Sequence, residues 1–154
     1  MAANMQIKPT QIRPTPIKPT QIKLVQTGPA KFTATNAAGA TGTIDGPADM
    51  GGENAGLRPM ETLLSALAGC SSLDVIHIMK KQRENLERLE VEVEGERADA
   101  VPAVFTRIHL RFKGYGPIDL LKFQKAVELS MEKYCSVSKM LEPSVVITAE
   151  GVLG

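Results

Sequence analysis

The two thiols are the side chains of this sequence with most chemistry to offer. Cys70 and Cys135 stand 65 residues apart (135 − 70), and two histidines, His77 and His109, complete the set of soft ligands. A thiolate is both nucleophile and metal ligand while a protonated thiol is neither, so the surroundings decide what each sulfur does. Cys70 lies inside an apolar run, where a free cysteine commonly serves as a small buried hydrophobe. The reactive alternative needs a cation close by, because a site in the middle of a helix gains little from the helix N-terminus. Both readings stand on the residues alone. A metal centre would draw on Cys70, His77, Cys135 and His109, with Cys70 and His77 on one helix face. No Cys-x-x-Cys or pair of histidines one turn apart anchors such a set, so we expect no metal and no cofactor.

The element that must position Cys70 begins at Pro59 and reads as a long helix running on through Glu84. Proline suits the first helical position, and Glu61 in the first turn faces the positive end of the helix dipole. The first half is apolar or small on every side, and such a helix must be covered all round. Thr62, Ser65, Gly69 and Ser72 form a stripe of small side chains at spacings of three and four. A glycine inside a helix costs about 1 kcal/mol relative to alanine, a cost tolerated where another backbone comes close. We therefore expect a tight helix crossing at Gly69 and a second subunit to supply cover.

Length and charge bound the rest. The 154 residues suit one domain with an appendage. A net charge of +1, with no basic patch interleaved with aromatics, argues against a nucleic-acid binder. The longest apolar run is interrupted by Asp74, which argues against a membrane span. The N-terminus lacks the hydrophobic region of a signal peptide, and two cysteines make no secreted disulfide scaffold. The expectation is a cytoplasmic protein, in which a disulfide would be catalytic or transient.

Around the helix the chain reads in order. Residues 6–25 repeat a five-residue unit, Gln6-Ile-Lys-Pro-Thr10 being the first copy; its prolines exclude helix and favour an extended arm. We place this extension at residues 1–21 and the folded domain at 22–154. Short strands follow at Ile22–Thr27, Lys31–Asn36 and Thr41–Asp45, a small antiparallel meander, then a glycine-rich connector, Gly46–Arg58, with no phosphate-loop motif. Beyond the helix, Leu89–Ala98 alternates Val91 and Val93 with four glutamates, and Phe105–Lys113 alternates Thr106, Ile108, Leu110 and Phe112 with Arg107, His109, Arg111 and Lys113. This is the period of a half-buried hairpin, with Glu94 facing Arg107 and Glu92 facing His109 across the strands. An amphipathic helix over Pro117–Tyr134 leads to Cys135, and a strand at Val145–Ala149 ends the series. The fold class is α+β, an antiparallel sheet with helices packed on one face.

Pro59-x-Glu61-Thr-Leu-Leu-Ser-Ala-Leu-Ala-Gly-Cys70-x-x-x-Asp74-Val75, followed by Glu132-Lys-Tyr-Cys135-Ser-Val, resembles the OsmC-like family of osmotically inducible and organic hydroperoxide resistance proteins. Glu94-Gly-Glu-Arg97 and Phe105-Thr-Arg107-Ile-His-Leu110 resemble the middle hairpin of that family. The resemblance covers residues 22–150 and implies antiparallel sheets with a long central helix in an intertwined homodimer. It also implies thiol chemistry in oxidative-stress defence. Cys70 would be the peroxidatic cysteine, attacking an organic or lipid hydroperoxide, and Cys135 the resolving one, with an external dithiol as reductant. Leu63, Leu67 and Leu73 would line an apolar pocket for the substrate.

The hydroperoxide-resistance members carry a glutamate ten residues before the first cysteine, where this chain has Met60; Glu61 is the neighbouring carboxylate. They hold the thiolate with an arginine from an N-terminal strand. Lys31 occupies the corresponding place here, and Arg58 and Arg107 are further candidates. These departures resemble a less characterised branch of the family. Its alternative role is that of a redox-sensing or hydrophobic-ligand-binding protein with little turnover.

Overall fold

The computed structural model describes residues 19–154, so most of the pentapeptide arm lies outside the described residues. Strands β1 (Ile22–Gln26), β2 (Lys31–Asn36) and β3 (Thr41–Asp45) form the expected antiparallel meander. The β2–β3 turn is held by the Asn36 carboxamide, which accepts the Ala38 and Ala40 N–H groups at 2.9 and 3.0 Å. Gly39 there takes a φ of 87°, a conformation glycine adopts without strain.

The glycine-rich stretch that follows is more than a connector. Asp45 ends β3 fully buried, and its Oδ2 accepts the backbone N–H groups of Glu53 and Ala55, both at 2.9 Å. Those bonds hold its carboxyl below the usual carboxylate range. They also fold the loop back on the strand, delivering the chain to helix α1 (Pro59–Lys81). Glu61 caps that helix by accepting the Arg58 N–H at 2.9 Å. The helix stops at Lys81, three residues short of the expected end, and Arg83 turns the chain with a φ of 60°.

The second sheet joins β4 (Arg88–Arg97), β5 (Phe105–Tyr115) and β6 (Val146–Leu153) in that order. The hairpin is antiparallel as expected, but β6 runs parallel to β5, so the sheet is mixed rather than antiparallel. The reason is the connection: helix α2 (Leu120–Leu129), a π-helical turn (Ser130–Tyr134) and helix α3 (Ser136–Leu141) form a crossover, which returns the chain to the same end of the sheet. β6 is also longer than expected. The hairpin register differs by two residues, pairing Glu94 with His109 and Glu92 with Arg111. Acid still faces base, yet His109 and Arg111 turn to Glu150 of β6, at 3.8 and 3.4 Å. A bulge at Glu96/Arg97 leaves Thr106 exposed and Phe105 buried, the reverse of simple alternation.

The core lies between this sheet and the helices. Ile108, Leu110 and Phe112 meet Leu67, Val75 and Met79 from α1 and Phe123 and Val127 from α2, all buried. By length and composition α1 could also cross a bilayer, but here one side of it is buried in this core. Its other side is uncovered. Leu73 and Ile76 are 71% and 47% exposed, and a Cβ built on Gly69 meets nothing within 4 Å. The close crossing expected at Gly69 is therefore absent among the described residues of one chain.

Candidate thiol site

Cys70 sits midway along α1, half-buried, and Asp74 follows four residues later on the same helical face. Cys135 approaches from the other side. The π-helical turn closes with the Cys135 N–H bonded to the Ser130 carbonyl at 2.8 Å, and Cys135 itself is extended, with φ −69° and ψ 106°. That break points its sulfur inward as the cap of α3, where it accepts the Ser138 N–H at 3.4 Å. The two sulfurs and an Asp74 carboxylate oxygen all lie within 4.8 Å of one another.

The two thiols differ in burial. Cys135 is completely buried, and burial pushes its thiol up to about 11, helped by the adjacent Cys70 and opposed by the Ser138 N–H. At neutral pH it is therefore protonated. Buried Ser130, on the π-helical turn, places its hydroxyl 3.1 Å from the Ser71 carbonyl and 3.2 Å from Asp74 Oδ2. With one proton to give, it donates to one of them at a time.

The other candidates from sequence have partners elsewhere in the chain. Lys31 forms an ion pair with Glu53, and that hydrogen bond raises its pKa above the ordinary lysine value. Arg58 caps α1 twelve residues before Cys70, about 18 Å along the axis at 1.5 Å per residue, and Glu61 about 13 Å. Arg107 projects from the solvated face of the sheet toward Glu96, at 3.9 Å. Leu67 is wholly buried, Leu63 packs half-buried against the core, and Leu73 is exposed, so the three do not line a single cavity. His109 bonds Thr148 on the outer sheet face through Nδ1, at 2.7 Å, away from Cys135 in the core. The Cys/His set considered from sequence is thus not assembled.

The sequence showed Asp74 as a break in an apolar run and as a member of the family motif, but gave it no part in the site. The signal that would have found it is the one-turn spacing Cys70-x-x-x-Asp74, which brings a carboxylate to the thiols. Asp74 also borders a groove of about 380 Å³, lined with His77, Ile78, Lys81, Gln82, Leu129 and Tyr134.

The family model of OsmC-like proteins matches residues 51–150. The chain belongs to the OsmC-like family. It is 44% identical over 91 residues to Protein YhfA of Escherichia coli, a match spanning 58% of this chain and 68% of YhfA. The crystal structure of a hypothetical protein from Aquifex aeolicus is similar with a TM-score of 0.75 and 31% identity, over 90% of this chain and 99% of that one. The organic hydroperoxide resistance protein OhrB of Bacillus subtilis superposes with a TM-score of 0.64 at 20% identity, covering 88% of this chain and 98% of OhrB; that likeness is one of fold. The site of this OsmC-like chain thus holds two cysteines whose sulfurs lie close together.

Proposed function

We propose that the protein reduces organic hydroperoxides by a two-cysteine mechanism, in oxidative-stress defence. The observation that carries this reading is the meeting of two sulfurs within 4.8 Å, one half-buried and one fully buried. The asymmetry divides the roles. Cys70, the more accessible, attacks the terminal peroxide oxygen as thiolate; the O–O bond breaks, alkoxide leaves and takes a proton, and Cys70 becomes a sulfenic acid. The Cys135 sulfur then attacks that sulfur, forming the disulfide and expelling water. An external dithiol returns both thiols by exchange and is itself oxidised.

The working unit in this proposal is a homodimer of residues 22–154 in the cytoplasm, where dithiol reductants keep cysteines reduced. The exposed face of α1 at Gly69, Leu73 and Ile76 supports a second copy lying against it. That copy would also bring a cation, Lys31 or Arg58 of the other chain, toward Cys70. A second reading, a redox-sensing or hydrophobic-ligand-binding protein with little turnover, draws on one specific observation. The Asp74 carboxylate stands beside both sulfurs and has no part in the peroxide chemistry.

Steady-state consumption of cumene hydroperoxide with a dithiol reductant distinguishes the two. We expect turnover that Cys70→Ser abolishes. Turnover retained in that variant ends the two-cysteine reading, and oxidation without turnover favours the sensor.

A further inference from the structure

The thiol pair carries a carboxylate that the peroxide chemistry above does not use. Cys70 and Asp74 stand one turn apart on α1, and Cys135 faces them from the break before α3, with all three donor atoms within 4.8 Å of one another. A tetrahedral zinc holds sulfur at about 2.3 Å and carboxylate oxygen at about 2.0–2.2 Å. Its donors therefore stand roughly 3.5–3.8 Å apart, and side-chain rotations of about 1 Å would bring these three onto one ion. Two sulfurs select a thiophilic cation over magnesium or calcium, which require six or more oxygens.

The groups behind the ligands suit the same purpose. The Ser130 hydroxyl is 3.2 Å from Asp74 Oδ2, and the Ser138 N–H points at the Cys135 sulfur, at 3.4 Å; such partners orient metal ligands and tune their basicity. Asp74 also borders the groove of about 380 Å³ shared with His77 and Tyr134, so the carboxylate edge of the cluster faces open space. Once the sulfurs are deprotonated on binding, two thiolates and a carboxylate sum to −3, and a dication reduces this to −1.

We propose that the reduced Cys70–Cys135 pair and Asp74 form a three-ligand site for zinc or a similar thiophilic dication, with the fourth position open to water. On binding, the ion takes a lone pair from each sulfur and from the carboxylate, two thiol protons pass to solvent, and no electron is transferred. Ligated sulfurs cannot attack a peroxide or join as a disulfide, so metal and peroxide compete for the same atoms. The site needs reduced thiols but not peroxidase turnover.

The test uses the full chain reduced by a phosphine and titrated with cobalt(II), then zinc(II), without peroxide. We expect thiolate-to-cobalt charge-transfer absorption saturating at one ion per chain, displacement by zinc, and release of two protons per ion. Cys70→Ser should abolish the absorption. Asp74→Asn should weaken binding by at least the 10–100-fold, roughly, that losing an outer partner costs, and Ser130→Ala, which keeps all three ligands, by about tenfold. If circular dichroism shows Asp74→Asn unfolded, the Ser130→Ala affinity and the proton count decide. No absorption in the reduced wild-type chain, absorption that survives Cys70→Ser, or unchanged affinity in a folded Asp74→Asn or in Ser130→Ala would overturn the site. Disulfide formation in the metal-free chain is measured separately, so its failure would sink the peroxidase reading alone.

Discussion

The β4–β5–β6 sheet and the β1–β2–β3 sheet solve different problems with similar strands. In the former, Ile108, Leu110 and Phe112 are at most 1% exposed, covered by α1 and α2, and this packing also brings the Cys135 segment against α1. In the latter, Ile22, Leu24 and Val25 are 62%, 52% and 45% exposed, and Asp45 is the one fully buried residue of the three strands. Apolar surface left in water forgoes about 25 cal/mol per Å². The contrast teaches that one sheet builds the thiol site from within a single chain. The other is anchored through a buried carboxylate and leaves its apolar residues for something else to cover, a second copy in our proposal.

Substitutions in the two sheets should therefore behave differently. Phe112→Ala empties the core and should lower stability by about 3–5 kcal/mol, read from denaturant unfolding. Gly95→Ala, in β4, should cost about 1–3 kcal/mol by overpacking, because its Cβ would sit 2.4 Å from Phe105 Cε1. Gly42→Ala, in β3, meets nothing within 4 Å and should be neutral or slightly stabilising. A large loss at Gly42 would show that the first sheet has close neighbours after all.

The Cys135 thiol supplies a pH test of the inner site. Its folded pKa of about 11 lies above the ordinary 9.0, so the folded state keeps its proton where the unfolded chain has lost it. Stability from this group is intact below pH 9 and should fall, by at most about 3 kcal/mol, as pH rises through 11; Cys135→Ala should flatten that slope. The smallest effect on the isolated chain is expected for Leu24→Ala, within about 0.5 kcal/mol. If a second copy covers β1, however, this variant should weaken self-association in sedimentation equilibrium.

Parts of this arrangement were legible in the residues. Pro59 and Glu61 mark the start of α1, and alternation in Phe105–Lys113 assigns most of the buried face of β5. The sequence relation to OsmC-like proteins paired the cysteines before any distance was known. The parallel direction of β6 was not legible, because alternation in a strand carries no direction and only the crossover decides it. The end of the helical stretch at Tyr134, just before Cys135, was legible, but the π-helical turn that closes it, Ser130–Tyr134, was not, since it holds no proline or glycine to mark it. Asp74 was quoted with the Cys70 motif but given no role, because a lone carboxylate in an apolar run reads as interruption, while its helical period places it beside a thiol. The hairpin register differs from expectation by two residues, and the bulge at Glu96/Arg97, which follows no local residue pattern, accounts for one of them.

Peptide mass spectrometry of the metal-free, reduced protein after one equivalent of cumene hydroperoxide addresses the central claim most directly. The account predicts a Cys70–Cys135 disulfide as the main oxidised species, and trapped sulfenic acid at Cys70 in the Cys135→Ser variant. Sulfenic acid confined to Cys135, or oxidation of Cys70 that never yields the disulfide, would contradict it.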